Sequence, residues 1–252
     1  MIQTDKEDKL VLSRAEDAVL LAEKNYQVKI VGFLNPRQRV LIEKNIFPPD
    51  TISVSFEGGY PEAERTIMLC MPEYVQTELG EFLTIVKFSG RNLSTLTHRD
   101  YLGSLMGLGI TRENIGDILC NQDGAFVFVK TDIADYILNN IDKVGRCGVK
   151  IEKCSLDDTE IPKPKLREIN GTVSSLRLDS VLSLAAGISR GRAAELIGQG
   201  LISLNWEVCE SVSEKLCEGD LISARGLGRM RLEKVGGLTR KGRLGITIIR
   251  FE

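Results

Sequence analysis

The sequence has little of what metal sites and disulfide-rich folds require, with 1 His and 6 Cys among 252 residues. No two cysteines have the two-residue gap of a zinc ligand pair, and the thiols are too sparse for a disulfide framework. We therefore expect reduced thiols, no metal and no other cofactor. No apolar run approaches the ~20 residues of a membrane span. The start, Met1 to Asp8, is polar and unlike a secretory signal, so we expect no membrane attachment.

The composition is that of an ordinary globular protein, with 42% hydrophobic and 27% charged residues. A charged stretch with two prolines, 157–165, has no apolar periodicity and predicts an exposed linker. We predict an α+β protein with a small mixed α/β domain at 1–76, a middle domain at 77–157, a linker at 158–170 and a C-terminal domain at 171–252.

Local signals outline the N-terminal segment. Ser13 can cap a helix whose apolar residues recur at helical spacing. Asn35 followed by Pro36 predicts the start of a second helix. Alternating apolar residues predict a strand at Ile52–Phe56 that pairs with a second strand at Thr66–Met71.

The middle segment alternates strands and helices in the order βαββαβ, which is typical of ferredoxin-like folds, including RNA-recognition domains. The predicted elements are Phe82–Phe88, His98–Met106, Ile115–Cys120, Ala125–Val129, Asp132–Ile141 and Val149–Cys154. Phe126 and Phe128 share one face of the third strand, where they could stack on RNA or pack in a core. The preceding Asp123 and Gly124 lack the basic residue of the RNA motif, which favours core packing.

The C-terminal segment opens with two predicted helices: Leu178–Ala186, ended by Gly187, and a second helix capped by Ser189. Short strands are predicted at Leu201–Trp206, near Leu221, at Arg229–Leu232 and at Gly245–Phe251. Trp206 is the only tryptophan. We favour its burial under this sheet over base stacking.

Positive charge is concentrated in the C-terminal segment. Residues 171–252 hold 12 basic and 9 acidic residues, a net charge of +3 in a chain whose net charge is -2. Residues 223–252 alone hold 8 basic and 2 acidic residues. Such an excess indicates a polyanionic partner, although a merely solvated face would have the same composition.

The start of the second C-terminal helix carries two arginines, Arg190 and Arg192, in its first turn. Cations there oppose the helix dipole by about 0.3–1 kcal/mol each. Either a nearby carboxylate pairs with them, or they bind phosphate together with the free helix N–H groups. We favour phosphate, because the intervening Gly191 would let an RNA backbone approach closely.

Two further basic runs follow. Arg225, Arg229 and Arg231 would lie on one side of an extended chain if the intervening glycines do not interrupt the alternation. Lys241 and Arg243 lie in a basic turn. Together the runs predict a surface that contacts phosphates.

The motifs at Arg177–Leu182, Ser189–Ala194, Gly200–Asn205 and Glu218–Asp220 resemble the RNA-binding domain of the ribosomal protein S4 type. The resemblance implies two helices packed on a small sheet, with RNA bound at the second helix start and neighbouring loops. On that pattern the RNA-facing residues are Arg177, Ser189, Arg190, Arg192 and Asn205.

Motifs in both the middle and the C-terminal segments resemble the bacterial YlmH family. They are His98–Ile110, Arg112–Ile118, Arg225–Arg229 and Lys241–Arg243, together with Asn205 and Trp206. The resemblance implies association with the large ribosomal subunit, obstructed peptidyl-tRNA and ribosome quality control, and an older link to cell division. His98, Arg99 and Arg112 form a second candidate RNA contact.

We predict a cytoplasmic, non-catalytic protein that binds ribosomal RNA and tRNA on the large subunit and is a monomer off the ribosome. The predicted RNA contacts are Arg177, Ser189, Arg190, Arg192, Asn205, Arg225, Arg229, Arg231, Lys241 and Arg243. An RNA-modifying enzyme of the pseudouridine synthase type and a cell-division adaptor remain alternatives. The sequence shows no catalytic aspartate motif or cofactor loop for the first.

Overall fold

The computed structural model describes residues 6–156, 159, 161 and 166–251. The chain divides into two compact units, Met1–Pro162 and Lys163–Glu252. In the described ranges, no helix is long and apolar enough to cross a membrane. The prolines of the predicted linker, Pro162 and Pro164, lie outside the described residues.

The first part of the first unit is a three-stranded sheet with two helices. Its elements are α1 (Lys6–Asn25), β1 (Lys29–Leu34), α2 (Pro36–Asn45), β2 (Ile52–Glu57) and β3 (Thr66–Pro72), with the antiparallel strand order β1-β3-β2. The pairing of β2 with β3 confirms the predicted hairpin, and β1 was not predicted. The cap at Asn35 is confirmed, since its side chain accepts from the Gln38 amide at 2.9 Å.

The predicted cap at Ser13 is wrong. Helix α1 begins a full two turns earlier, at Lys6, and Ser13 lies inside it. The buried positions Val11, Ala15 and Ala18 show why, because the apolar stripe that faces the sheet already starts before Ser13.

The second part of the first unit has the predicted βαββαβ order. Its elements are β4 (Leu83–Ser89), α3 (His98–Gly107), β5 (Ile115–Cys120), β6 (Gly124–Lys130), α4 (Thr131–Asn140), a small hairpin of β7 (Lys143–Val144) and β8 (Cys147–Gly148), and β9 (Lys150–Cys154). The antiparallel sheet has the strand order β5-β6-β4-β9, which is that of a ferredoxin-like fold. Side chains of α3 and α4, including Tyr101 and Ile137, pack on one face of this sheet.

The other face of this sheet is covered by the N-terminal sheet. Phe33 and Ile67 of the N-terminal sheet share one cluster with Ile85, Phe126 and Phe128 of the middle sheet. Phe128 is 0% exposed and Phe126 is 9% exposed, so their predicted core packing is confirmed. RNA cannot stack on this face while the two sheets are packed together.

A partly buried arginine, Arg65, connects the two sheets. The guanidinium of Arg65 donates to three backbone carbonyls, those of Ile115 at 3.0 Å, Phe33 at 2.8 Å and Arg112 at 3.1 Å. Asp117 accepts the Arg65 backbone amide at 3.2 Å. Burial, and then the charge of Arg112, lower the pKa of Arg65 to about 10, against a smaller opposite effect of Asp117. Arg65 therefore stays charged at neutral pH.

The second unit is a six-stranded antiparallel sheet with two helices on one face. Its elements are β10 (Leu166–Val173), α5 (Leu178–Ala186), α6 (Arg190–Gly198), β11 (Ile202–Leu204), β12 (Glu207–Val208), β13 (Leu221–Ala224), β14 (Gly228–Leu238) and β15 (Leu244–Phe251). The strand order is β10-β15-β14-β13-β11-β12. Gly187, with φ 66°, ends α5 as predicted, and Ser189 caps α6 as predicted.

The end of the predicted linker is wrong, because residues 166–170 belong to β10. This strand pairs with β15 from Leu166–Phe251 to Val173–Leu244. The polar residues Glu168 and Asn170 lie on the outer side of the strand and hide its apolar alternation in the sequence.

The separate cores predict how fragments behave. A fragment of residues 163–252 should fold alone, because its buried cluster runs from Val173 to Ile248 and uses no residue of the first unit. A fragment of residues 77–162 should fold poorly, because it would expose Ile85 and Phe128. Circular dichroism and thermal unfolding would check both. A cooperative transition of the 77–162 fragment would contradict the shared core.

Candidate nucleic-acid interface

The starts of α5 and α6 meet at one carboxylate, that of Asp179. Arg177, the cap residue of α5, donates from Nε to Oδ1 of Asp179 at 3.1 Å. Arg190, the first residue of α6, donates from Nε to Oδ2 at 2.8 Å. The Asp179 side chain is only 7% exposed, whereas that of Arg190 is 51% exposed. The carboxylate thus lies beneath the two guanidinium groups.

Asp179 is held in its ionised form. Burial acts to raise its pKa, but hydrogen bonds and charge from Arg190 and Arg177 outweigh burial and lower the pKa below the ordinary value. Each arginine uses only Nε in this contact. Within the described residues the Nη atoms of Arg177 and Arg190 make no hydrogen bond, so a pair of N–H donors on each is available to a phosphate.

Arg192 has a partner of its own. Its Nη1 donates to Glu195 Oε2 at 2.6 Å, and its backbone amide donates to the Ser189 hydroxyl at 3.2 Å. The sequence offered carboxylate pairing as one of two explanations for these arginines, and the structure shows a carboxylate partner for both Arg190 and Arg192. Ser189 acts here as the helix cap. Both partners of the Arg192–Glu195 pair are half exposed, and exposed pairs contribute little to stability.

Gly191 lies open at the start of α6. A Cβ built at Gly191 would meet nothing within 4 Å, and its backbone does not have the left-handed conformation that favours glycine. Nothing in the described chain therefore requires a glycine at this position. Glycine also weakens a helix, so its presence here has a cost in stability. The bare backbone leaves room for an external group at the helix N-terminus.

Lys215 is a neighbouring cation that the sequence motifs missed. An isolated bridge joins it to Arg177, and the flanking Leu216 amide donates to the Leu176 carbonyl at 2.8 Å. Lys215 is exposed. It lies in an irregular loop with no motif, and only its pairing with the start of α5 places it beside the arginines.

Asn205 and Trp206 form the turn between β11 and β12. The Asn205 side chain donates to Asp220 at 2.8 Å and accepts the Leu221 amide at 2.9 Å, so it fixes the turn. The predicted burial of Trp206 is wrong, since the side chain is 38% exposed. The strand stops at Leu204, before Trp206, because the chain reverses at Asn205.

The second basic run lies on the face of the sheet opposite the helices. Arg229 and Arg231 share this face of β14, with guanidinium carbons 5.3 and 5.9 Å from the centre of the Phe251 ring. Arg225 does not align with them, because Gly226 and Gly228 have positive φ and turn the chain between β13 and β14. The predicted alternation therefore holds for Arg229 and Arg231 only.

The third basic run lies in the β14–β15 turn. Lys241 is exposed there. Arg243 donates from its guanidinium to the Thr172 carbonyl, and its backbone amide donates to the Thr239 hydroxyl at 3.1 Å. Arg243 thus helps to hold the turn against β10.

The three residues of the second candidate contact, in the first unit, differ in their surroundings. His98 and Arg99 are exposed at the start of α3. The Arg112 guanidinium instead donates to the carbonyls of Ile115 at 2.8 Å and Gly116 at 3.0 Å. Burial lowers the pKa of Arg112, against a smaller raising effect of Asp117. Arg112 therefore holds the backbone at the start of β5.

Two helices on a small sheet, with arginines gathered at the helix starts, define an S4-type RNA-binding unit. Residues 176–222 match the family model described as "S4 domain". Residues 76–158 match the model described as "Putative RNA-binding domain in YlmH". The protein thus carries two domains of RNA-binding families.

Two similar proteins extend this result. "Ribosome-associated protein quality control protein P2" of Bacillus subtilis (strain 168) is 33% identical over 248 residues, which cover 97% of this chain and 96% of that protein. The chain belongs to the YlmH family, as its motifs indicated. The solved structure of "Cell division protein ylmH from Streptococcus pneumoniae" is similar in fold, with a TM-score of 0.52 and 20% identity over 64% of this chain and 99% of that one.

Gly191 and Gly198 provide a matched test of the helix start. Both are open helical glycines at opposite ends of α6, so alanine at either should raise stability by up to about 1 kcal/mol. Gly191→Ala should also weaken RNA binding several-fold, because its methyl group would stand where a phosphate approaches. Gly198→Ala should not. Thermal unfolding and RNA binding of both variants would check this, and equal affinities would argue against contact at Gly191.

Asp179→Asn should reduce the stability of the second unit by about 1.5–3 kcal/mol at neutral pH, because two charged hydrogen bonds are weakened. The folded pKa is depressed, so this stabilisation is present above the unfolded value of about 3.9 and is lost as pH falls through the folded pKa. Denaturant unfolding at pH 7 and in acid, followed by Trp206 fluorescence, would measure it. A stability difference that persists unchanged in acid would contradict the ion-pair origin.

Proposed function

We propose that the protein binds structured ribosomal RNA on the large ribosomal subunit, next to peptidyl-tRNA, and acts without catalysis in ribosome-associated quality control. The observation that carries the proposal is Asp179 aligning Arg177 and Arg190 at the starts of two helices. The Bacillus subtilis relative, which is similar over nearly the whole chain, is named as a ribosome-associated quality control protein, and this supports the ribosomal setting. A cytoplasmic location follows from this proposal.

The chemistry of the helix starts suits an RNA backbone. Arg177 and Arg190 share the carboxylate of Asp179, and a backbone bridge joins Lys215 to Arg177. The start of α6 adds backbone N–H groups beside Gly191. Paired N–H donors of arginine match phosphate oxygens geometrically. Such contacts read the position of phosphates in a folded RNA and carry little base sequence. We therefore expect recognition by RNA shape.

A second, weaker RNA contact in the first unit would make the protein prefer the ribosome over other folded RNA. His98 and Arg99 are the exposed candidates, whereas the guanidinium of Arg112 is committed to backbone carbonyls. Two tethered contacts raise avidity by about a hundredfold or more without strengthening either one. In this proposal the second unit gives most of the affinity, and the first unit gives selectivity.

The two buried carboxylates of the described chain are both committed to arginines. Asp8 and Asp179 are the buried acidic residues of the described chain. Asp8 accepts both Nη groups of Arg37 at 2.6 Å, and Asp179 is shared by two arginines. A pseudouridine synthase needs an aspartate that can reach the base. We expect ribosomal RNA from cells lacking the protein to keep its full set of modified uridines.

The phosphate contacts predict a change in salt dependence. Arg177→Gln with Arg190→Gln should weaken binding to large ribosomal subunits and flatten the slope of log affinity against log salt by about one to two units. Arg39→Gln is the matched control, because Arg39 also pairs through Nε with a carboxylate, that of Glu43 at 2.9 Å, but lies in the first unit. Binding should be measured across a salt series. An unaltered slope in the double variant would overturn phosphate contact.

The outer face of the sheet can be tested in the same titration. Arg229→Gln with Arg231→Gln should flatten the slope by about one to two units if both contact phosphate. A weaker affinity with an unchanged slope would mean that they act by packing on Phe251.

Ribonuclease treatment separates the proposal from a protein adaptor in cell division. Partners that copurify with the protein from a lysate should be ribosomal and should be lost after digestion of the RNA. Partners that are retained after complete digestion would favour the adaptor.

A further inference from the structure

Trp206 occupies an unusual position for a large aromatic side chain. It is the second residue of the two-residue turn that joins β11 to β12, where Leu204 pairs with Glu207. Asn205 and Trp206 have φ values of 48° and 67°, as a type I′ turn requires. Asparagine suits the first of these positions, but the second strongly favours glycine.

The strain at Trp206 is not compensated by burial. Trp206 is 38% exposed and belongs to none of the buried clusters of the described residues. Large residues whose backbone has the left-handed conformation, and whose side chains are not buried in a core, are concentrated at functional sites. Tyr26 also has a positive φ, 51°, but it directly follows helix α1, where that conformation is common.

Hydrogen bonds connect the turn to the start of α5, where Arg177 lies. Asp220 accepts the Asn205 side chain at 2.8 Å through one oxygen and the Cys217 amide at 2.7 Å through the other. The adjacent Leu216 is hydrogen-bonded to the residue before Arg177. These hydrogen bonds therefore link the turn that carries Trp206 to the segment that leads into Arg177.

We propose that Trp206 is a stacking site for an unpaired nucleobase of the RNA that the second unit binds. The inference rests on the proposed RNA binding and adds a base contact to a surface otherwise made of phosphate contacts. A flat aromatic face presented by a rigid turn suits stacking on any base, because every base has a π-face. It favours RNA with an unpaired residue over a fully paired helix.

The single tryptophan makes the test direct, because intrinsic emission reports on position 206 alone. The full chain is titrated with an RNA hairpin that has an unpaired loop and with a duplex of the same stem. Fluorescence anisotropy of end-labelled RNA measures binding independently. The hairpin should quench and shift Trp206 emission, and the duplex should change it far less at equal occupancy.

Three variants separate stacking from a structural role. Trp206→Gly should raise the Tm of the second unit by roughly 4–8 °C, because the left-handed strain is relieved. It should also weaken hairpin binding by roughly five- to a hundredfold. Trp206→Phe should keep most of the affinity. Tyr26→Gly, the matched control in the first unit, should leave RNA affinity unchanged.

The outcomes distinguish this inference from the proposed function. Hairpin binding with unchanged Trp206 emission, or with equal affinity of Trp206→Gly, overturns the stacking site and leaves the proposed function standing. A Trp206→Gly variant that loses both stability and affinity overturns it in favour of a structural role. Failure of the wild-type chain to bind hairpin, duplex or large subunits even at low salt overturns the proposed function and the stacking site together.

Discussion

The carboxylate of Asp179 fixes the positions of two cations that would otherwise repel each other. Without it, Arg177 and Arg190 would each bring positive charge to a helix start, where the dipole already disfavours it. With it, one buried negative charge compensates both guanidinium groups, and their outer edges remain available. The sequence presented an ion pair and phosphate binding as alternatives. The two are compatible, because the ion pair with Asp179 orients the Nη–H donors of both arginines in the free protein.

The first unit illustrates how a familiar topology can lose its usual binding surface. The sheet of β4, β5, β6 and β9 has the strand order of RNA-recognition domains, yet the N-terminal sheet covers the face on which Phe126 and Phe128 lie. Arg65 secures this packing with three carbonyl contacts. Any RNA contact of this unit must therefore use helices, loops or sheet edges, and the exposed start of α3 is one such place.

Helix caps and helix ends that depend on a few neighbouring residues were predicted correctly from the sequence. The caps at Asn35 and Ser189 and the end of α5 at Gly187 depend on a few neighbouring residues, and all were predicted. Ser13 failed as a cap because the apolar stripe of α1, which is set by tertiary packing, continues past it.

Features that depend on contacts between separate elements were not predicted from the sequence. Strands β1 and β10 were missed because their polar residues and glycines obscure the alternation that their partners enforce. The role of Asp179 was missed although its partners are near in sequence, because the contact with Arg190 depends on how two helices pack together. The exposure of Trp206 depends on where β11 ends, and that is decided by the side chain of Asn205.

The sequence separations within the second unit have a consequence for the order in which it folds. Asp179 reaches its two arginines across only 2 and 11 residues, within one helical hairpin. Strand β10 must instead find β15, and the Asn170–Thr247 contact spans 77 residues. Loop-closure entropy and contact order both make the second event slower. The arginine cluster can therefore assemble in the fast-forming part of the unit, before β10 pairs with β15 and completes the edge of the sheet.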